Sequence, residues 1–436
     1  MELVQVMIYD LCLKDCKIHP HKGLYNVGIE QGKIMTLKKT PLVADEVIDI
    51  KGKLVLPGLI DVHVHFRDPG LTYKEDFKSG SQAAAHGGFT TIMDMPNTIP
   101  PTNTACLFKE KKEIASKKCM VDFALHAGVD DLAEVEKIAP LKPASFKLFM
   151  DLCSDDFLDH IFEKVSSLDS KIPLTLHGEN QKVVNDCTKK LQDENKNEAF
   201  DYSLARPPKA EELAVAQALN LSRKFQQKIH ICHVSTSRAL KLIDSKKREG
   251  LPVSSEITPH HLLLDSSAFK NWGNLTKTNP PLRSKEEGIS FSMLDKIDLI
   301  ATDHAPHTLE EKEKNVWEAA PGIPNLETVL PLLLTQMNKN NLNLDQIKSL
   351  LCENPSKIFN LENKGFIKEG MDADLVVVDL KLEGKINPDN FYTKADYTPF
   401  SGWEYKGAPV MTLSRGNVIM EEGQVMENRG RYVYLD

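Results

Sequence analysis

Apolar β-like runs alternate with longer amphipathic stretches through most of this chain. The runs are LIDVHVHF, FTTIMDMP, VDFALHAGV, SFKLFM, IPLTLHGE, KIHICHVS, PVSSEITPH and KIDLIATDH. Between them lie stretches such as YKEDFKSGSQAAAHGG, LFKEKKEIASKK and AEELAVAQALNLSRKFQQ, which read as helices. Eight β-runs with helical crossovers predict a parallel sheet closed into a (β/α)8 TIM barrel over residues 56–360. The ends of the chain differ. LYNVGIEQGKIMTL carries a Gln-Gly turn between two strand-like segments, a hairpin signal, and GMDADLVVVDL and PVMTLSRGNVIMEEGQV bring β character back near the C-terminus. Residues 1–55 and 361–436 are therefore expected to pair into one small β-domain, a sandwich, beside the barrel.

Composition changes this picture little. The 436 residues are 41% hydrophobic and 27% charged, as in an ordinary globular protein. The net charge of −8 argues against nucleic acid as a partner. No run of about 18 apolar residues predicts a membrane span, and MELVQVMIYDLCLKD has acids early and no basic leader region, so no export signal is read. The eight cysteines form no CxxC pair and read as reduced thiols of a cytoplasmic protein.

Candidate chemistry enters through the ends of the runs, because active-site groups of a barrel sit at the C-terminal ends of its strands. His63 and His65 end the first run, Asp94 and Asn97 the second; Lys147 lies in SFKLFM, His177 ends IPLTLHGE, His233 ends KIHICHVS and Asp303 ends KIDLIATDH. Strand side chains alternate, so His63 and His65 share a face and can reach one metal ion. A His-x-His pair alone is a weak signal, and HPH at His19 and His21 shows why: its proline and flanking lysines read as a surface turn. Imidazole and carboxylate donors together suit zinc. Lys147 repels a cation as an ammonium but becomes a bridging carboxylate if carbon dioxide carbamylates it. The bland alternative is a lysine reaching the barrel mouth to pair with an acid.

Taken in order, PGLIDVHVHFRDPG, MDMPNT, SFKLFM, TLHGEN, ICHVST, NPPLRS and ATDHAPH resemble the amidohydrolase superfamily and, within it, the type I dihydroorotases. The resemblance implies two zinc ions: His63, His65 and Asp303 on one, His177 and His233 on the other, and carboxylated Lys147 as the bridge. Two metals would bring a shared water near neutrality. Asp303 would then act as general base and acid as a ring amide opens, interconverting dihydroorotate and N-carbamoyl-aspartate. Arg67, a planar bidentate donor, Asn97 and His307 are implied for the substrate carboxylate, and Asn279 and the backbone at Gly322 for the ring. Arg67 could instead pair with Asp68 or Glu75, and Asn97 could cap the following turn. Arg283 is expected to hold its loop, and His230, His260, His261 and His304 to be structural. MDLCSDDF and TLEEKEKNVWEAAPG are the candidate lid segments.

Hydantoinases, dihydropyrimidinases and allantoinases form the alternative reading, since they share the metal set. A non-catalytic scaffold of the same fold is a third, opposed by the retained histidines, lysine and aspartate. Partners implied by the resemblance are a second copy of the chain and aspartate transcarbamoylase.

Overall fold

The computed structural model describes residues 8–168 and 172–434. Residues 1–7, part of the N-terminal stretch read above for an export signal, lie outside the described residues.

All eight apolar runs are strands. Leu59–Val64, Phe89–Asp94 and Asp122–Leu125 pair in parallel, as do Phe146–Phe149, Leu174–His177, Ile229–Ile231, Val253–Ile257 and Leu299–Ile300. A parallel bridge from Val64 to His304 joins the last strand to the first. The amides of Ala144 and Ala127, donating to Leu125 O and Ser145 O, stitch the third strand to the fourth. The strands are buried at essentially every position, as strands covered on both faces must be.

The helices form where the sequence caps them. Phe77–His86 starts at Asp76, whose carboxylate accepts from the amides of Lys78 and Ser79 in a capping box. Ala105–Lys118 is capped by Thr104, and Pro208–Phe225 begins on a proline, which costs no helical hydrogen bond there.

Both chain ends meet in a single nine-stranded sheet. Leu54–Pro57 pairs antiparallel with Leu375–Lys385 on one side and in parallel with Ile8–Ile18 on the other. The hairpin read from LYNVGIEQGKIMTL is Leu24–Glu30 with Lys33–Lys38, and Gln31 and Gly32 both take positive φ at its turn. The sheet closes on its own core of Leu13, Val27, Ile29, Ile34, Val55, Leu375 and Leu413. It is tied to the barrel by a buried network in which Lys364 pairs with Asp122, Asp372 and Asp374, and Arg415 pairs with Asp122. All eight cysteines are free, and among the described residues no helix is long and apolar enough to cross a membrane.

Candidate active site

The strand ends converge on a cavity of about 480 Å³. Its lining includes His63, His65, Arg67, Asn97, His177, His233, Asn279, Asp303, His307 and Gly322. A larger cavity of about 610 Å³, beside His86 and Glu327 at the nine-stranded sheet, holds none of these groups. Three of the lining residues, Arg67, His233 and Asp303, have φ of 60°, 34° and 46°, a left-handed conformation that non-glycine residues rarely take. Such strain persists only where the surrounding structure imposes it, and it clusters at functional sites.

Three of the four imidazoles are aimed by a partner, and the fourth, His233, has no hydrogen-bond partner at Nδ1. His63 Nδ1 donates to Glu256 Oε1 at 2.5 Å, which leaves Nε2 facing Asp303 Oδ1 at 3.3 Å. His65 Nδ1 donates to Asn97 Oδ1 at 2.6 Å and turns Nε2 to the same Asp303 oxygen at 3.0 Å. His177 Nε2 donates to Glu179 Oε2 at 2.9 Å, so its Nδ1 faces His233 Nε2 at 3.0 Å. The two sets adjoin, with the His63 and His233 rings 5.4 Å apart.

These donors fit a metal ion. Donor atoms around one tetrahedral zinc stand about 3.3 Å apart, as its bonds of about 2.0–2.1 Å dictate. Burial, with Arg67 and His63 adding, pushes His65 down to about 4 against the pull of Asp303. Burial, His177 and His63 likewise push His233 well down, and both rings are thus held in the neutral, metal-binding form. At His63 burial is outweighed by Glu256 and Asp303, which raise it well above its ordinary value. Positive charge is therefore favoured at this point of the site. Burial would raise the Asp303 carboxyl, but His63 and His65 hold it well below the usual carboxylate range.

Lys147 is buried and is not part of the cavity wall. Its amine lies 2.9 Å from Cys232 Sγ and over the Phe149 ring. Among the described residues no acid forms an ion pair with it, which removes the alternative of a lysine paired at the barrel mouth.

At the other end of the cavity Arg67 is 7% exposed. Neither Asp68 nor Glu75 pairs with it: Asp68 pairs with Lys118, and Glu75 bonds Ser79, His304 and Thr393. Its Nη2 lies 3.1 Å from His307 Nε2, and its Nε has no hydrogen-bond partner. Burial pushes His307 far down, and Arg67, Lys74 and Lys312 add to the shift, so His307 is neutral beside the guanidinium. Asn279 Oδ1 accepts from Tyr202 Oη at 2.5 Å, leaving its amide donors free. At Gly322, φ is 154° and a Cβ would stand 2.2 Å from Ala305 O, so only glycine brings this backbone against the cavity.

A model of the amidohydrolase family matches residues 54–419. The chain belongs to the amidohydrolase family. Among curated relatives, a dihydroorotase of Methanothermobacter thermautotrophicus is 50% identical over 98% of this amidohydrolase and 97% of the relative. One of Pyrococcus furiosus is 40% identical over 92% and 90%. Among solved structures, the L-hydantoinase of Arthrobacter aurescens superposes with a TM-score of 0.93 at 32% identity, covering 98% of this chain and 99% of that one.

Several groups of the amidohydrolase site carry no signal in the sequence. Glu256 accepts from His63, from His230 Nε2 at 2.9 Å and from the His233 amide, so one carboxylate orients two strands of the site. Arg206 binds both Glu179 and Asp151 at 2.7 Å, and Asp151 and Leu152 join the wall. Glu179, in TLHGEN, has the one usable cue: it lies two residues past His177, just beyond the end of the strand. The residues read as structural are so placed. His230 supports Glu256, His261 caps on Thr258, His260 meets Asn325, His304 meets Glu75, and Arg283 holds Ser235 and the Arg206 carbonyl. His19 pairs at the surface with Asp345.

Proposed function

We propose that this amidohydrolase is a dihydroorotase. It interconverts (S)-dihydroorotate plus water and N-carbamoyl-L-aspartate in de novo pyrimidine (UMP) biosynthesis. The observation that carries the reading is Arg67: a buried guanidinium in a histidine-lined cavity, with an unpartnered nitrogen and no acid within ion-pair distance, Asp303 and Asp94 acting on it only from farther off. An anionic substrate completes it. Hydantoin, dihydrouracil and allantoin have no exocyclic carboxylate and would leave the guanidinium without a direct counter-ion, which ranks hydantoinase, dihydropyrimidinase and allantoinase activity second. The dihydroorotases among its relatives support the same choice.

In this reading His63, His65 and Asp303 would hold one zinc ion and His177 and His233 a second, and Lys147, once carboxylated by carbon dioxide, would supply a carboxylate ligand to both. When bound, zinc supplies Lewis acidity, polarising the scissile carbonyl and acidifying water. The rest belongs to the chain. Arg67, with Asn97 and His307, seizes the substrate carboxylate, and Asn279 and the Gly322 backbone bond the ring. Asp303, held ionised, accepts the proton of the attacking water and returns it to the departing ring nitrogen. Glu256, Asn97 and Glu179 keep the imidazoles in the required tautomers.

The reading places the enzyme in the cytoplasm, with a second copy of the chain and aspartate transcarbamoylase as partners. Sedimentation of the purified protein and co-purification test these. The function itself is tested by dihydroorotate turnover with zinc content measured in parallel. Activity should vanish on chelation and return with zinc. No turnover in zinc-loaded protein would overturn the assignment.

A further inference from the structure

We infer that Lys74 is a specificity-determining residue of this site: it selects the tautomer of His307 that turns an N–H toward the substrate carboxylate. The inference rests on the reading above, in which Arg67 and His307 receive that carboxylate.

The chain gathers three charged groups around one ring. The Leu71 amide donates to Arg67 O and the Lys74 amide to Leu71 O, so two successive turns fold Lys74 back toward Arg67. Glu311 follows His307 by four residues, in the short helix Leu309–Lys312. A capping box fixes it: its amide donates to Thr308 Oγ1, and its Oε2 accepts from the Thr308 amide, both at 3.3 Å. Its Oε1 then accepts from Lys74 Nζ at 2.8 Å and from Tyr73 Oη at 3.0 Å. The Lys74 ammonium, on a side chain 11% exposed, is thereby held 3.3 Å from His307 Nδ1.

Each nitrogen of His307 faces one donor and one acceptor. Nε2 lies 3.1 Å from Arg67 Nη2 and 3.0 Å from Pro321 O. Nδ1 lies 3.3 Å from Lys74 Nζ and 3.4 Å from Glu311 Oε2. A neutral imidazole has one N–H and one lone pair, and burial beside Arg67 and Lys74 keeps His307 neutral. Two arrangements are therefore complete. In one, Nδ1–H points to Glu311 and Nε2 accepts from Arg67. In the other, Nε2–H donates to Pro321 O and Nδ1 accepts from Lys74. The hydrogen bond at one nitrogen decides whether the other carries the proton.

An anionic substrate decides between them. Once a carboxylate takes the Arg67 guanidinium, Nε2 loses its donor, and a bare lone pair there would face a carboxylate oxygen. The second arrangement removes that repulsion and sets an N–H beside the guanidinium. Lys74 makes this arrangement available by donating to Nδ1; without it the proton stays on Nδ1, against Glu311. His307 thus becomes a donor when an anion arrives, and a ring without a carboxylate gains nothing from the change.

Two measurements on zinc-loaded enzyme test this. Steady-state kinetics with dihydroorotate compare the wild type with Lys74→Met and Lys74→Arg. Loss of one charge-assisted hydrogen bond predicts a KM about 10- to 150-fold higher in Lys74→Met. Its kcat should stay within about threefold, and Lys74→Arg, which keeps a charged donor, should recover most of the loss. Nitrogen NMR of isotopically labelled histidine reads the tautomer with orotate bound, an unsaturated ring with the same carboxylate; the His307 signal is the one lost in His307→Gln. The wild type should show a protonated Nε2 and a bare Nδ1, and Lys74→Met a shift toward bare Nε2. The wild-type spectrum decides the matter even if Lys74→Met fails to fold. A bare Nε2 in the wild-type orotate complex, or a KM for Lys74→Met within about threefold of the wild type, overturns the inference and leaves the dihydroorotase reading standing. So does a raised KM with the tautomer unmoved, or an equal loss in Lys74→Arg. Failure of the wild type to turn over dihydroorotate removes that reading and this one with it.

Discussion

Replacing Arg67 with methionine should move activity and stability in opposite directions. The guanidinium is 7% exposed, its Nε has no partner, and its nearest polar neighbour is the neutral His307 ring. A buried charge with no ion-pair partner costs several kcal/mol, and well-packed apolar replacements of whole buried ion pairs have gained about 1–4 kcal/mol. Methionine keeps most of the stem and fills irregular space. Against this stands the lost contact with His307, about 1 kcal/mol. The variant should therefore be more stable by about 1–3 kcal/mol. Catalysis should suffer by the opposite logic. Removing one member of a buried charge pair costs about 2–5 kcal/mol, or about 30- to 5000-fold in kcat/KM for dihydroorotate. Urea unfolding at fixed zinc, steady-state kinetics and metal analysis measure the three quantities. A destabilised variant that keeps activity within about threefold would show Arg67 to be a structural residue and would refute the reasoning.

Lys147→Ala should lose most activity and bound zinc, with partial recovery in acetate or propionate; full activity without a small carboxylate would remove the carboxylated bridge. Glu256→Gln should weaken zinc binding by about 10–100-fold, because Glu256 fixes the His63 tautomer and supports the His233 backbone. Competition against a chromogenic chelator reads this, and unchanged affinity would remove Glu256 from the account. Lys364→Met should cost about 3–5 kcal/mol in denaturant unfolding by stranding Asp374, 4% exposed, while Asp122 keeps Arg415, with zinc-saturated kcat nearly unchanged. A loss under about 1 kcal/mol would mean that network is not what fastens the sheet to the barrel.

The barrel was legible because strands buried on both faces appear as short apolar runs, and all eight runs read as strands are strands. The pairing of the two chain ends was legible in outline, as a return of β character after the last crossover; the single nine-stranded sheet was not. Strand-end histidines were readable because a polar residue closing an apolar run has few packing reasons to be there. What stayed hidden depends on convergence. Glu256 lies in SSE, where nothing local separates it from a solvated carboxylate, yet two other strands bring His63, His230 and the His233 amide to it. Asn97 was legible as an amide beside the site, but its use in aiming His65 was not. The Lys147–Cys232 contact joins residues 85 apart and leaves no local trace.

The central claim is a metal-dependent hydrolase that selects a cyclic amide by its carboxylate. Its most direct test is the ratio of kcat/KM for dihydroorotate to that for dihydrouracil, the same ring without the carboxylate, on one zinc-loaded preparation. A buried charge pair worth about 2–5 kcal/mol predicts a ratio of about 30 to 5000. A ratio at or below one would contradict it.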